Sequence, residues 1–485
     1  MIKSLIRLDI VLLSRSRGFW FLMFLLICAA CLALISGLDW RSRYLHAADA
    51  ARDMVSEDRA LLVDIYDGIA SGDVTPSDID DPASQGPFVP DPRDPYVGGF
   101  YHSQLVDLPA GPLLGLATGT TELRATHHVI KSVPLASLMR IGEPAERVNP
   151  AALAAGRFDL LAFIMYLCPL ALTVLLFDAI GRERETGVAP LLAALGPAQR
   201  ELLIARGLTR GGAVLGAALF ASVVGLVLVN ALLTPAALLW IFGVTAYLLF
   251  WTALLLWVAS TGLSLIGSAA IGVSLWLALL LLSPGMVERT LRPSGLLEPR
   301  ALAEAEVRTV IRKASENDAA RAAAKQYVAK TYWNMDFSAA PACANREVIL
   351  SEYVERRLSD ETYSAAMLTG AAREAVYEAR LDRWGWLSPP LAFRRSMESI
   401  AGVDPARQRA FEAQVIDFHA IWRNRVTDAL FTCSKLDREA FDTAPSFQWR
   451  APEDASRGWS GFVLALLLGG ALASAALLPK RPLLR

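Results

Sequence analysis

The sequence is poor in the residues that build most catalytic centres. It has five cysteines and five histidines in 485 residues. No Gly-Lys dipeptide occurs, which excludes a phosphate-cradling Walker A loop on this chain. Gly-x-Ser-x-Gly and His-Glu-x-x-His are also absent, which removes the nucleophile elbow and the helical zinc motif. The adjacent pair His127-His128 is a poor metal site, because neighbours on a strand point to opposite faces. No catalytic residue, metal or cofactor is therefore expected on this chain. The formal net charge is −1. A nucleic-acid partner is not expected, since a binder needs a concentrated basic face.

The most informative absence is of charge. The 77 positions from Gly211 to Val287 hold no Asp, Glu, Lys or Arg. One bilayer crossing needs about 20 apolar residues, so such a run reads as several membrane helices. Asn230, Thr234 and Pro235 punctuate it once, and Ser260, Thr261 and Gly262 again. Three further apolar segments stand apart, around Phe19 to Ile35, Leu160 to Phe177 and Phe462 to Leu478. The expectation is an all-α polytopic membrane protein with six crossings, at 18–38, 159–179, 210–232, 236–258, 262–284 and 460–479. The first is longer than a signal-peptide core and lacks a clean cleavage site, so it reads as a retained anchor. Pro169 marks a kink in the second.

Basic residues cluster in residues 1–17, in the loop 180–209 and in the tail 480–485. Six crossings place all three on one side, which the positive-inside rule makes the cytoplasm. Two large segments, 39–158 and 285–459, then face outward. The first opens with a helical pattern continuing from crossing one. It turns Pro-, Asp- and Gly-rich from Ser71 to Gly99, and has weak strand signals at Leu116, Thr118, Thr120 and Val129 to Val133. The second reads as mostly helical, at Arg300 to Tyr332, Arg346 to Leu358, Asp360 to Leu381 and Pro405 to Phe431. Cys28, Cys31 and Cys168 sit in membrane segments as small apolar residues. Cys343 and Cys433 are the sensible disulfide pair if their side is an oxidising periplasm. Two free thiols are the alternative, since spacing does not establish proximity.

The loop after crossing two is the most distinctive polar segment. It suggests two short helices hinged at Gly196-Pro197. On pattern alone it is either an interfacial element presenting charge to a soluble partner or a solvated loop.

Its residues carry a resemblance. Glu183-Arg184-Glu185-Thr186-Gly187 followed by Arg206-Gly207 resembles the type-2 permease class of ATP-binding-cassette transporters, with Val188-Ala189 in place of the usual Thr-Leu. Met1 to Arg17 is similar to the interfacial helix of that class. Asn149-Pro150, Gly156 to Leu160, Ser388-Pro389, Ala401 to Asp404 and Phe411 are similar to patterns in permeases linked with gliding motility and nitrous-oxide-reductase maturation. The resemblance implies a transport subunit of the bacterial inner membrane without its own ATPase motif. A separate cytoplasmic ATPase, carrying ATP and Mg, would dock on Glu183, Arg184, Glu185, Thr186, Gly187, Arg200 and Arg206. A second permease, identical or paralogous, would complete the assembly. Small-residue stripes at Ser260, Ser264, Ser268 and Gly272, and at Ala465, Gly469 and Ala473, allow close helix approach, within the chain or at a dimer seam. Two functions remain open: an export permease, or a non-transporting protein that passes ATPase-driven force or a signal to outward domains holding a partner.

Overall fold

A computed structural model describes residues 2–76, 89–119, 121, 125–141, 157–188, 199–293, 299–315, 318–334, 347–432, 434–452 and 459–477. The Cys343 and Cys433 pairing and the hinge at Gly196-Pro197 lie outside these residues.

The N-terminal helix α1 (Ile2–Arg15) buries Asp9 and exposes Leu8, Val11 and Leu12. A charged residue inside and leucines outside suit a helix lying on an apolar medium. The Ser16 hydroxyl then accepts the Phe19 amide at 3.3 Å and starts α2 (Arg17–Ser71). These 55 residues form one unbroken helix, about 80 Å long at 1.5 Å per residue. The helical pattern beyond the first apolar segment is therefore a continuation of it. Gly72, at φ 82°, ends it in the left-handed conformation that glycine adopts without strain.

Four helices are long and apolar enough to cross a membrane: α2, α7 (Arg200–Leu228), α8 (Pro235–Ser260) and α9 (Leu265–Leu291). Two shorter apolar helices pack with them, α5 (Leu160–Leu176) and one within α16 (Trp459–Leu477). The chain is a predominantly helical membrane protein. The centre of the bundle is α8, whose Trp240, Tyr247 and Trp251 are fully buried.

Between α2 and α5 lie α3 (Pro95–Tyr101), strands β1 (Gln104–Asp107) and β2 (His127–Ile130), and α4 (Leu135–Ile141). After α5 comes the short helix α6 (Gly181–Glu185). After α9 come α10 (Pro299–Ser315), α11 (Asp318–Trp333), α12 (Glu347–Trp384), α13 (Pro389–Ala401), α14 (Pro405–Thr432) and α15 (Arg438–Asp442). The antiparallel ribbon pairs Leu105 with Val129 and Val106 with His128. His127 is half-buried and His128 buried, as strand alternation requires.

Three expectations change here. The two large segments share one core: Val106, Ile130, Leu138 and Met139 pack with Tyr363, Phe411, Val415 and Trp422. They form a single extramembrane domain. The helices expected on either side of Leu358 and Asp360 are one, α12, 38 residues long. Asp360 does not start a helix; it accepts the Leu135 amide at 2.8 Å and an Arg423 N–H at 3.0 Å. Finally, Leu113 to Thr118 is not a strand. It turns at Gly115, φ 106°, and its leucines are buried among the membrane helices.

The small-residue stripes also divide. Ser260 ends α8, and the Ser264 hydroxyl caps α9 by accepting the Gly267 amide at 3.1 Å. Ser268 and Gly272 do face inward along α9. A Cβ on Gly272 would lie 2.9 Å from Thr173 of α5. On α16, a Cβ on Gly469 would lie 3.2 Å from the Phe250 Cα of α8. Both glycines serve packing inside the chain. Ala473 is half-buried on the same helix, and the Ala465 side chain is outside the described set.

One buried histidine makes the extramembrane domain sensitive to acid. His102 packs on Phe441, with ring centroids 4.9 Å apart, and its Nε2 lies 3.2 Å from the Tyr66 hydroxyl. Burial, then the charges of Arg425 and Arg59, lower its pKa to about 4 from 6.5. The folded state therefore keeps it neutral, and the unfolded chain takes up the proton first. This histidine's contribution is present above pH 6.5 and is lost as pH falls toward 4. The whole shift corresponds to about 3 kcal/mol. Thermal unfolding of the domain's tryptophan signal should move to lower temperature between pH 6.5 and 4, and His102→Gln should flatten that dependence.

Candidate functional site

The residues singled out by sequence lie at one end of the bundle, where α6, the start of α7 and α1 meet. Ala179, Ile180 and Leu203 pack on Ala259 and fix the chain on either side of the loop. On this apolar floor sits a charge cluster of three carboxylates, Asp9, Asp178 and Glu183, and two guanidiniums, Arg206 and Arg210.

Arg206 and Arg210 are four positions apart on α7, so both reach the same side. Arg206 is 6% exposed and ion-pairs with Glu183 through two contacts, one at 2.8 Å. Its Nε lies 3.6 Å from Asp9, and it also donates to the Ala179 carbonyl. Arg210 donates to Asp178, to the Leu175 carbonyl at 2.8 Å, and to Asp9 at 3.3 Å. The Thr209 hydroxyl, on the turn between them, also donates to Asp9. Asp9 thus joins the N-terminal helix to the loop and to α7 in one contact set. A π-helical turn, Gly207–Gly211, carries Thr209 and Arg210. Such turns are uncommon and concentrate at functional sites.

A second contact ties the loop to α9. Glu185 Oε1 accepts the Leu265 amide at 2.9 Å, satisfying one of the orphan donors at that helix start. Gly181 packs tightly there as well, since an added Cβ would meet Leu265 at 3.3 Å. Gly187 has φ 70°, the left-handed region where glycine is unstrained, and open space around it.

The structure therefore sorts the seven sequence candidates. Glu183 and Arg206 face each other within the protein. Glu185, Thr186, Gly187 and Arg200 are exposed. The side chain of Arg184 is outside the described residues. Sequence reasoning missed Asp9, Asp178, Thr209 and Arg210 as members of the cluster. The available signal was the lone acid among the basic residues of the N-terminus, together with the four-residue spacing of Arg206 and Arg210.

Burial raises the Glu183 carboxyl pKa, but hydrogen bonding and charge from Arg206 outweigh this and hold it below its ordinary 4.5. A depressed carboxylate stabilises the folded state above its unfolded pKa and loses that effect as pH falls through the folded value. Removing one partner of such a pair leaves a charge with no compensation. Arg206→Met should lower stability by about 3 kcal/mol. Glu183→Arg alone should also destabilise, and the exchange Glu183→Arg with Arg206→Glu should recover part of that loss. Differential scanning fluorimetry of the detergent-solubilised chain checks this: a strictly additive double variant would reject the pairing.

Residues 300–450, just under a third of the chain, match the model of a domain family described as a domain of unknown function, DUF3526. The match spans most of the second half of the extramembrane domain. No curated protein and no solved structure matches the chain.

Proposed function

We propose that the chain is the membrane-spanning subunit of an ATP-binding-cassette export system, energised by a separate ATPase that docks where the loop after α5 meets the N-terminal helix. The chain then crosses the bacterial inner membrane six times, with α5 and α16 as the second and sixth crossings and both termini in the cytoplasm. A second permease subunit completes the assembly. The observation that carries this reading is the Asp9 cluster. It joins a surface-lying N-terminal helix, the loop and α7 into one unit, and Glu185 extends the unit to α9. A push on such a unit reaches several membrane helices together. Glu183 and Arg206 position the dock, and Glu185, Thr186, Gly187 and Arg200 form its face.

A second reading is favoured by the other end of the molecule. Phe393 of α13 stacks on Tyr247 of α8, with centroids 4.0 Å apart and planes 7° apart. The Tyr247 hydroxyl donates to the Met165 carbonyl of α5 at 3.0 Å. The extramembrane domain is thus keyed into the bundle, which suits a protein that passes ATPase-driven motion to a partner outside, with or without transport.

Two experiments test the proposal. Tags at Lys3, near Pro197 and at Arg485 should report the cytoplasm, and tags near Pro87 and Ala342 the opposite side. An odd number of crossings would split the ends and reject the topology. For the dock, reversing Glu185→Lys together with Arg200→Glu places like charge on the proposed face, at a loss of several kcal/mol by order of magnitude. Copurification from native membranes with mass spectrometry should find an ATPase subunit with the wild type and lose it with the variant at equal expression. Retention of that ATPase, or its absence from the wild type, would remove the main support for the reading.

A further inference from the structure

The extramembrane domain holds a cavity at the level where it meets the membrane bundle. The end of α12, the 3-10 turn Gly385–Leu387, α13 and the first turn of α14 enclose about 620 Å³. Small-molecule sites span about 300–1,000 Å³, so this is a full-sized site. One face of α13 lines it, while Phe393, Met397 and Ala401 of the same helix belong to the membrane cluster. At this height Trp384, Trp386 and Leu387 are 43%, 45% and 54% exposed. Exposed tryptophans beside a membrane helix bundle mark the headgroup level.

The charges in the wall are unevenly compensated. Arg395 is held by Glu378 at 2.6 Å and Asp382 at 2.7 Å. Glu398 is held by Arg394 at 2.9 Å, and Asp404 accepts the amides of Ala406 and Arg407 at 3.0 and 3.2 Å. These acids are already engaged. Arg409 is not well matched: it is nine-tenths buried, its Nη1 has no hydrogen-bond partner, and the Glu374 carboxylate stands 3.9 Å away. Arg407, two positions earlier, donates to a neutral group, the Pro109 carbonyl, at 2.8 Å. A buried guanidinium with unused donors favours an anionic acceptor. Arg383, Ser396 and Ser399 also line the wall, and Leu381, Trp386 and Ala392 give it an apolar stretch.

We propose that this cavity binds an anionic amphiphile, with its acidic headgroup against Arg407 and Arg409 and its alkyl body along Leu381, Trp386 and Ala392. The site lies far from the ATPase dock and does not depend on it. The ligand enters sideways from the membrane surface rather than through the bundle. The same chemistry could come from a resident phospholipid or from a single-chain amphiphile.

The test uses the full chain in dodecyl maltoside and a lysophosphatidylglycerol carrying a diazirine on its acyl chain, with crosslinks mapped by mass spectrometry. Labels are expected in peptides containing Trp386, Ala392 to Ser399 and Pro405 to Arg409. Ala406→Trp fills the cavity from the half-buried first turn of α14, and Arg409→Gln removes the charge and leaves a shorter polar side chain. Arg409→Gln should cut labelling about ten-fold, the loss expected when a charge-assisted hydrogen bond disappears, and Ala406→Trp should cut it at least as far by occupying the space. Arg407→Gln, less buried, serves if either variant fails to show a wild-type unfolding temperature. Competition by diacyl phosphatidylglycerol as strong as by the lyso form identifies a resident bilayer lipid, and selective competition by the lyso form identifies a single-chain amphiphile; both carry the proposal. Labelling confined to the membrane helices, or unchanged in folded Ala406→Trp, would overturn it. So would equal competition by glycerol phosphate, which has no alkyl body, or by an octyl glucoside, which has no charge.

Discussion

A polar group inside an apolar bundle must find its partner within the protein, and the architecture follows from how this chain meets that demand. Pro169 has no N–H to give the Met165 carbonyl four residues earlier. The preceding turn, Phe163–Leu167, is π-helical, and Tyr247 supplies the missing donor to Met165. Trp276 does the same for the Tyr166 carbonyl at 3.0 Å. The carbonyls beside Pro169 are thus satisfied by side chains of α8 and α9. At the start of α5, Asp159 caps the helix by accepting the Ala162 amide at 2.8 Å and also holds the amide and hydroxyl of Thr118. The Leu116 carbonyl takes the Leu161 amide at 3.0 Å. A loop of the extramembrane domain therefore finishes an apolar helix of the bundle.

The same demand operates at the other end, with charge in place of backbone. Desolvating five ionisable groups is costly, and their mutual attraction offsets this only with good geometry. Arg206 and Arg210 divide three carboxylates between them, and backbone carbonyls take further N–H groups. Such a cluster adds less to stability than to uniqueness: it specifies one seating of α1 against α7. The surface helix cannot shift without separating Asp9 from both arginines.

The two ends of the bundle are held by different means. At the loop, Arg206 and Arg210 pair with Asp9, Asp178 and Glu183, and Glu185 accepts the Leu265 amide. The far end is rigid because α13 lies between the extramembrane domain and α8, with Phe393 on Tyr247. Tyr247 then connects α13 to the π-helical turn of α5. α13 carries both that ring stack and one wall of the cavity.

The sequence by itself determined the membrane class, the apolar segments, the helical continuation of α2 and the location of the polar loop. These depend on local composition: an uncharged run is apolar whatever it touches, and Gly72 can end a helix wherever it occurs. Tertiary structure alone decided that the two large segments share one core, since Ile130 and Met139 cluster with Tyr363, Phe411 and Trp422, distant in the sequence. It alone turned Ser264 from a packing residue into a cap, because a helix start is fixed by which amides lack partners. It alone paired Glu183 with Arg206. A carboxylate in a sequence has no address until the fold brings a cation within reach.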